Sequence, residues 1–412
     1  MPRHPFIARS LRLAVLVLSL LLAACAGAPQ TRRTPPAAVI LVSIDGLPAN
    51  AVGLGAMPTL DALAANGVRA EWMNPSYPTL TFPNHYTLVT GLRPDRHGIV
   101  HNNMTDPALG VFVSKEAGGR DGRWWGGEPI WATLQKQGGI AATMFWPGSE
   151  AEIAGQRPRH VRRFDRSVTA DARADQILRW LDLPEAERPR LLTLYFEFLD
   201  VAAHEYGVDS PESLQAMRGI DAALARLLAG LRARGLDGRV DLIVVSDHGM
   251  ADVPKSNVRL LDDRLDPTHY RVDWWGEVVG LTPAPGRADA VEAAFLGRQD
   301  HYTCWRKAEL PAVWHYGTHP RIPPIVCQAE TGWRVQSNLQ EPQRQPVKGQ
   351  HGFDPQDPTM RAVFVAQGPS FRRGATIPAL DNVDLYPLLA RLLRVEPAAN
   401  EGDPSATQAA LR

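Results

Sequence analysis

Short apolar runs alternate along the chain with longer segments in which hydrophobic residues recur at helical spacing. The apolar runs are continuous, as expected for strands that are buried on both faces. They lie at residues 38–43, 191–198, 242–245 and 362–366. Helical spacing is found at residues 57–68, 217–231 and 383–393. This alternation predicts an α/β fold with a mainly parallel central sheet flanked by helices.

The N-terminal segment has the features of an export signal. Three arginines precede an apolar run at residues 13–22, which is too short to span a bilayer. Residues 22–25 read Leu-Ala-Ala-Cys and resemble a bacterial lipobox, in which the cysteine receives a lipid. We therefore predict a lipoprotein-type signal at residues 1–25. The protein would be periplasmic or anchored to the outer membrane, with ordinary secretion as the alternative.

The remaining chain is predicted to contain a short tether and one large domain. Residues 26–37 are rich in small residues and proline, which suits a linker, and residues 38–412 form the domain. The hydrophobic pattern is broken at about residues 264–347, which we interpret as an inserted subdomain. In an oxidising compartment Cys304 and Cys327 would form a disulfide, although two unpaired buried thiols are the alternative.

The charge balance restricts the kinds of ligand that the protein can bind. The chain has 44 Lys+Arg and 44 Asp+Glu, so its formal net charge is zero. A protein that holds nucleic acid through general electrostatics carries an excess of basic residues. We therefore expect no sequence-specific nucleic-acid binding, and we expect any anionic substrate to be a small molecule held at a local site.

Acidic and histidine side chains follow the predicted strands. They are Asp45, Asp200, His204, Asp247, His248 and His351. In open α/β sheets ligands bind at the carboxyl ends of the strands, so these side chains are expected to converge there. Each one alone is more often a structural residue, but together they form a mixed oxygen and nitrogen ligand set. Such a set suits zinc and tolerates other divalent transition metals, and two such ions can clamp both oxygens of an in-line phosphoryl transfer.

A nucleophile candidate lies in the segment at residues 77–86. The hydroxyl group of Thr81 is a poor nucleophile unless a metal ion or a base activates it. Thr81 also precedes Pro83, so it could simply begin a helix. The two interpretations are compatible, because a helix N-terminus offers backbone N–H groups to an anion.

These motifs closely resemble the nucleotide pyrophosphatase/phosphodiesterase family of the alkaline phosphatase superfamily. The matching segments are residues 81–91, 97–104, 129–131, 247–250, 320–324 and 381–384. The resemblance covers nearly everything after residue 38 and implies an alkaline-phosphatase-like fold.

The resemblance also implies a role for each matching residue. Thr81 would be the nucleophile, and Asn102 would donate to a non-bridging phosphate oxygen. Phe82 and Tyr195 would stack a nucleobase or pack a lipid head group, with core packing as the alternative. Two zinc ions are implied. Their ligands would be Asp45, Thr81, Asp247 and His248 for one ion, and Asp200, His204 and His351 for the other.

One departure from the family pattern bears on substrate choice. Many members have Glu-Pro-Asp before the ligand histidine, whereas residues 197–200 read Glu-Phe-Leu-Asp here. The ligands are retained, but the wall of the pocket differs.

The implied function is a zinc-dependent phosphodiesterase or nucleotide pyrophosphatase. It would hydrolyse phosphodiester or phosphoanhydride bonds through a covalent threonine intermediate and release nucleoside 5′-monophosphates. A phosphodiesterase for choline-bearing lipids is the main alternative, followed by a phosphomonoesterase or phosphonate hydrolase. A sulfatase is disfavoured because no Cys-x-Pro-x-Arg or Ser-x-Pro-x-Arg sequence lies at the nucleophile position. An anchored binding lipoprotein with an inactive site is disfavoured because Thr81 and all the ligand candidates are present.

Overall fold

The computed structural model describes residues 37–113, 117–337 and 348–412. The predicted signal at residues 1–25 and all but the last residue of the predicted tether lie outside these ranges. Within the described ranges, every helix is too short or too polar to cross a bilayer.

The strands are numbered in chain order. They are β1 (Ala38–Ile44), β2 (Val68–Ala70), β3 (Met73–Asn74), β4 (Asn103–Asp106), β5 (Gly110–Val113), β6 (Ala141–Met144), β7 (His160–Arg162), β8 (Leu191–Phe196), β9 (Val240–Val245), β10 (Ala251–Asp252), β11 (Val258–Leu260), β12 (Tyr270–Trp274), β13 (Val278–Pro283), β14 (Gly297–Arg298), β15 (Tyr302–Arg306), β16 (Ile325–Ala329), β17 (Arg334–Gln336), β18 (Gly349–Gln350), β19 (Phe364–Gln367), β20 (Ala375–Ile377) and β21 (Leu380–Asp381).

The α-helices are numbered in the same way. They are α1 (Pro58–Asn66), α2 (Thr81–Thr90), α3 (Pro94–His97), α4 (Ile130–Lys136), α5 (Ala170–Leu181), α6 (Phe198–Tyr206), α7 (Pro211–Ala233), α8 (Ala288–Phe295) and α9 (Leu385–Leu393). Short 3-10 turns connect several of these elements.

The central sheet is mainly parallel, as the sequence predicts. Its strand order is β20-β2-β19-β9-β1-β8-β6-β7. Strand β1 lies between β8 and β9 and is parallel to both, whereas β19 is antiparallel to β9 and β2. The apolar run predicted at residues 362–366 becomes a strand only from Phe364, because Ala362 forms separate bridges with Pro48 and Met73. The fold is the α/β, alkaline-phosphatase-like fold that the sequence implies.

Two hydrophobic clusters cover the two faces of the central sheet. Along β1, Val39 and Leu41 belong to one cluster and Ile40 and Val42 to the other, because successive side chains of a strand point to opposite faces. Residues of α2 and α9 pack into the first cluster, and residues of α5 and α7 pack into the second. This double burial explains why the strand sequences are continuously apolar.

A second, five-stranded sheet lies within the segment predicted as an insertion. Its order is β12-β13-β16-β15-β14, and all its neighbouring strands are antiparallel. Cys304 on β15 and Cys327 on β16 pair directly across the sheet and form a disulfide, as expected for an oxidising compartment. The assignment of residues 264–347 as an inserted subdomain stays a prediction.

The register of the central strands brings the candidate ligand residues to one edge of the sheet. Ser43 of β1 lies beside Tyr195 of β8 on one side and Val245 of β9 on the other. Because the three strands are parallel and level, the residues that follow them emerge together. Asp45 and Asp247 each lie two residues beyond this level.

Candidate active site

The first cluster of ligand-type side chains follows β1 and β9. The Nε2 atom of His248 lies 2.9 Å from Oδ2 of Asp247 and 3.5 Å from Oδ1 of Asp45. All three side chains are buried. Gly46 has a φ of 71°, and its backbone N–H donates to Oδ1 of Asp247, so the turn after β1 also orients the aspartate after β9.

The second cluster combines helix α6 with the segment after β18. Asp200 and His204 are one helical turn apart on α6, and His204 Nε2 lies 3.3 Å from Asp200 Oδ1. The Nε2 atom of His351 lies 3.5 Å from the same oxygen. The antiparallel pairing of β10 with β18 carries His351 to the first cluster, where its ring stacks on that of His248 at a centroid distance of 3.7 Å.

The hydrogen bonds of the three histidines show that these clusters can hold divalent cations. Each Nδ1 contacts a backbone carbonyl oxygen: Gly349 for His204, Gly249 for His248 and Thr79 for His351. A carbonyl oxygen only accepts, so each Nδ1 carries a proton and each Nε2 is the ring nitrogen that faces the carboxylates. One buried oxygen each of Asp45, Asp200 and Asp247 also has no hydrogen-bond partner. A cation between Nε2 and carboxylate oxygens satisfies both groups, so the residues fit a metal centre.

The electrostatics of the site reflect the burial and close spacing of its ionisable groups. Burial, with Asp247 and Asp200 nearby, raises the pKa of Asp45. Burial alone would also raise the pKa of Asp247, but His248 and His85 hold it below its usual range. Burial and the neighbouring His248 lower the pKa of His351 to about 3, which keeps that ring neutral. A neutral imidazole and ionised carboxylates are the forms that bind metal ions.

Thr81 is the first residue of helix α2 and lies between the clusters. Its hydroxyl oxygen is 3.4 Å from Nε2 of His248. The segment just before it is held to the second cluster, because the carbonyl of Thr79 accepts from His351 and the hydroxyl of Thr79 accepts from the N–H of Gly352. The predicted nucleophile and the predicted ligands therefore meet at one place.

Asn102 is fixed beside Thr81 by a single hydrogen bond. Its side-chain oxygen accepts from the backbone N–H of Phe82 at 2.9 Å. This contact engages the side-chain oxygen and leaves the NH₂ group as the donor of a residue that lines the cavity.

Tyr195 and Phe82 both line the cavity, but they are held differently. The hydroxyl of Tyr195 donates to Oδ2 of Asp45 at 2.5 Å, and the residue is only 7% exposed. Phe82 is half-buried against Phe112 and Trp125. Tyr195 thus supports a metal-ligand candidate, a contact that the sequence did not predict.

His85 connects the nucleophile helix to the first cluster. Its ring is fully buried, and Nδ1 lies 2.9 Å from the carbonyl oxygen of Thr81 and 3.2 Å from Oδ2 of Asp247. Its Nε2 lies 2.8 Å from the hydroxyl of Ser43 on β1. The signal available in the sequence was its position four residues after Thr81, which places both on one face of α2.

A buried ion pair supports the pocket wall where the sequence departs from the family pattern. Arg173 on α5 donates to both carboxylate oxygens of Glu197 at 2.5 and 2.9 Å and to the carbonyl of Tyr195 at 2.9 Å. Its guanidinium group lies over the rings of Phe145 and Phe198. Glu197 is therefore engaged within the protein.

The site opens into a cavity of about 770 Å³. It is lined by Thr81, Asn102, Phe82, Tyr195 and ligand candidates of both clusters. Phe164, which the sequence did not single out, also lines it and is 38% exposed. The size suits a small-molecule substrate, and the aromatic walls suit a planar group.

The chain matches a known protein family over most of its length. Residues 39–354 match the family described as type I phosphodiesterase / nucleotide pyrophosphatase. A pyrophosphatase/phosphodiesterase of Schizosaccharomyces pombe is 35% identical over 385 residues, which cover 88% of this chain and 78% of that protein. Ectonucleotide pyrophosphatase/phosphodiesterase family member 3 of Bos taurus is 34% identical and is matched over 91% of this chain. The chain spans 44% of that relative and 45% of a venom phosphodiesterase of Crotalus durissus collilineatus.

The fold is similar to that of solved mammalian structures. Murine ectonucleotide pyrophosphatase/phosphodiesterase 5, as an inactive threonine-to-alanine variant in complex with AMP, has a TM-score of 0.87 and 33% identity, covering 91% of this chain and 100% of that chain. The human protein has a TM-score of 0.86 and 32% identity, covering 91% and 99%. From its sequence and its fold alike, the chain belongs to the type I phosphodiesterase / nucleotide pyrophosphatase family.

Proposed function

We propose that this protein is a metal-dependent phosphodiesterase and nucleotide pyrophosphatase that uses Thr81 as its nucleophile. The observation that carries the proposal is the position of the Thr81 hydroxyl, 3.4 Å from Nε2 of His248, in a cavity that both ligand clusters line. The products would be nucleoside 5′-monophosphates. Family membership and the AMP bound to the murine relative support this substrate class.

Two zinc ions are proposed as cofactors. Asp45, Thr81, Asp247 and His248 would hold one ion, and Asp200, His204 and His351 would hold the other. When bound, the ions would lower the pKa of the Thr81 hydroxyl and balance negative charge on the phosphate oxygens.

In the proposed first half-reaction, the Thr81 oxygen forms a bond to phosphorus. The proton of the Thr81 hydroxyl passes to solvent or to the leaving oxygen, which departs with the electron pair of the bond that breaks. The nucleotidyl group stays on Thr81 as an ester. The NH₂ group of Asn102 is available for a non-bridging oxygen, since its carbonyl oxygen is already bonded to Phe82. The start of helix α2 adds its positive dipole end to the same region.

In the proposed second half-reaction, water forms a bond to phosphorus and the bond to the Thr81 oxygen breaks. Thr81 regains its proton, and the nucleoside 5′-monophosphate leaves. The base would pack among the aromatic residues of the cavity wall, Phe82, Phe164 and Tyr195.

A substrate panel tests the proposal directly. One preparation is assayed with p-nitrophenyl thymidine 5′-monophosphate, bis-p-nitrophenyl phosphate, p-nitrophenyl phosphate and p-nitrophenyl phosphorylcholine. We expect the nucleotide ester to have the highest kcat/KM. Faster turnover of the choline ester would favour the lipid phosphodiesterase, and faster turnover of the monoester would favour a phosphatase.

Export is part of the proposal, whereas the lipid anchor stays a prediction. The Cys304–Cys327 disulfide suits an oxidising compartment, and the venom relatives are secreted proteins by their names. Replacing Cys25 by serine and following membrane fractionation would test the anchor.

A further inference from the structure

We infer that the cavity contains a second anion-binding subsite, formed by Arg120, Arg163 and Arg166, which binds a phosphate group other than the one being cleaved. This inference rests on the proposed function and concerns which nucleotides the same site prefers. All three arginines line the cavity that contains Thr81. Their side chains belong to exposed residues, so they are accessible to a ligand in solvent.

The arginines between the end of β7 and the first turn of α5 differ in what they contact. Arg162 donates to Gln176 at 3.1 Å, and Arg173 is bound to Glu197 inside the protein. Among the residues that the structure describes, Arg163 and Arg166 form neither an ion pair nor a side-chain hydrogen bond. Two guanidinium groups are thus presented to the cavity without a structural partner.

The acidic residues next to these arginines are already engaged. Asp165, between them in sequence, accepts from the backbone N–H and hydroxyl of Ser167 at 2.9 and 2.7 Å. Glu150 accepts from the backbone N–H of Phe164 at 2.8 Å and lies 3.9 Å from Nη1 of Arg120. Three arginines against these two carboxylates leave this wall of the cavity with a net positive charge.

Three acidic residues elsewhere on the cavity wall, outside the ligand clusters, have arginine partners within the protein. Glu197 is paired with Arg173, Asp273 with Arg271 and Glu277 with Arg334. Each of these three carboxylates is paired with another arginine, so none of them neutralises Arg163 or Arg166. A cationic group such as choline would therefore be disfavoured near this wall, whereas an anion would be attracted.

The shape of arginine points to phosphate as the anion. A guanidinium group donates in a planar fork that matches two phosphate oxygens at once. Phe164 lies between the two arginines in sequence and exposes its ring to the same cavity. A nucleotide whose base packs on that ring would bring its own phosphates within reach of the arginines. The phosphate could be attached to the ribose or could belong to a polyphosphate chain.

Two pairs of substrates distinguish a phosphate attached to the ribose from phosphates in a polyphosphate chain. NAD⁺ and NADP⁺ both contain a cleavable pyrophosphate and differ only by a phosphate on the ribose. ATP has phosphates in its leaving group that the p-nitrophenyl ester of thymidine 5′-monophosphate lacks, and the two also differ in base and sugar. The double variant Arg163→Gln/Arg166→Gln is compared with the unmodified protein and with Arg218→Gln, an exposed arginine on helix α7.

Each kcat/KM is divided by the value for the p-nitrophenyl ester from the same preparation, so that a general loss of active protein cancels. We expect the double variant to lower this relative kcat/KM for NADP⁺ or for ATP by about tenfold, mainly through KM. The relative value for NAD⁺ should change less than that for NADP⁺ if the ribose phosphate is the ligand. The Arg218→Gln control should leave all ratios unchanged.

A lower relative kcat/KM for NADP⁺ or for ATP in the double variant would support the subsite. The substrate that is affected identifies whether the bound phosphate is on the ribose or in the polyphosphate chain. Unchanged ratios for both NADP⁺ and ATP in the double variant would overturn the inference while leaving the proposed function intact. Absence of p-nitrophenyl ester hydrolysis in the zinc-loaded, unmodified protein would instead overturn the proposed function, and the subsite inference with it.

Discussion

The hydroxyl group of Tyr195 donates a 2.5 Å hydrogen bond to Oδ2 of Asp45. The other oxygen of Asp45 faces Nε2 of His248 at 3.5 Å. Tyr195 therefore sets the rotation of a carboxylate that is proposed to bind metal. Burial and the negative charge of Asp45 raise the pKa of the tyrosine, so it remains a donor at any pH at which the enzyme would work.

Replacing Tyr195 by phenylalanine is expected to weaken metal binding by about tenfold or more, because hydrogen bonds to metal ligands typically change affinity by about 10–100-fold. The measurement is zinc affinity by competition with a chromogenic chelator, with kcat at saturating zinc alongside. Tyr206→Phe, at an exposed position on α6, is the control. Equal zinc affinity in the Tyr195 variant would show that the hydrogen bond does not support the metal site.

Thr81→Ala should remain folded and bind metal but lose at least about 10³-fold in kcat, because the covalent nucleophile is removed. Thr81→Ser keeps a hydroxyl and should retain measurable turnover. Burst kinetics and mass spectrometry of acid-quenched samples would detect the nucleotidyl ester on residue 81. Near-normal turnover by the alanine variant would rule out the threonine mechanism.

Removal of metal should abolish activity and lower Tm. A ligand present at about 1,000 times its dissociation constant stabilises the folded state by about 4 kcal/mol, so chelation should lower Tm by roughly 5 °C or more. Zinc should restore both properties after the chelator is removed. Restoration by magnesium alone would contradict the zinc assignment, because histidine ligands do not suit magnesium.

Replacing one partner of the buried Arg173–Glu197 ion pair should destabilise the protein more than replacing both partners. Arg173→Met leaves a buried carboxylate without its partner, which typically costs about 3–5 kcal/mol of stability. The double variant Arg173→Met/Glu197→Gln removes both charges and should be less destabilised than the single variant. Urea unfolding of the four proteins in this cycle gives the coupling energy. Additive effects would show that the two side chains do not act as a pair.

His97 makes the stability depend on pH. Burial, with nearby His319 and Arg321, lowers its pKa from 6.5 to about 3. Its Nδ1 accepts from the N–H of Ile99, which suits a neutral ring. Between pH 3 and 6.5 the unfolded chain therefore binds a proton that the folded chain does not, and stability falls as the pH falls.

The slope from this one group approaches about 1.4 kcal/mol per pH unit. His97→Gln should flatten the dependence of the unfolding free energy between pH 4.5 and pH 7, although it also lowers stability at neutral pH. His160→Gln, on β7, serves as the matched control. An unchanged slope in the His97 variant would show that another group accounts for the acid sensitivity.

Local pattern was enough to predict the framework of this protein and its candidate ligand residues, and the family resemblance supplied the roles proposed for them. Continuous apolar runs identify buried strands, and parallel strands bring the residues after their carboxyl ends to one edge of the sheet. This is why Asp45, Asp200 and Asp247 could be expected to converge, whereas the place of Thr81 beside them was implied by the family resemblance. The strand ends shifted by only a few residues, for example where Ala362 pairs outside the central sheet.

The tertiary structure decided the contacts whose partners are far apart in the chain. Tyr195 and Asp45 are separated by 150 residues, and His85 and Asp247 come from a helix and a strand end in different parts of the sequence. No periodicity links such pairs, because each depends on the register and packing of whole elements. No pattern in the sequence singles out Arg163 and Arg166. Only the folded chain shows that they face the cavity that contains Thr81 and that the neighbouring acids are already engaged.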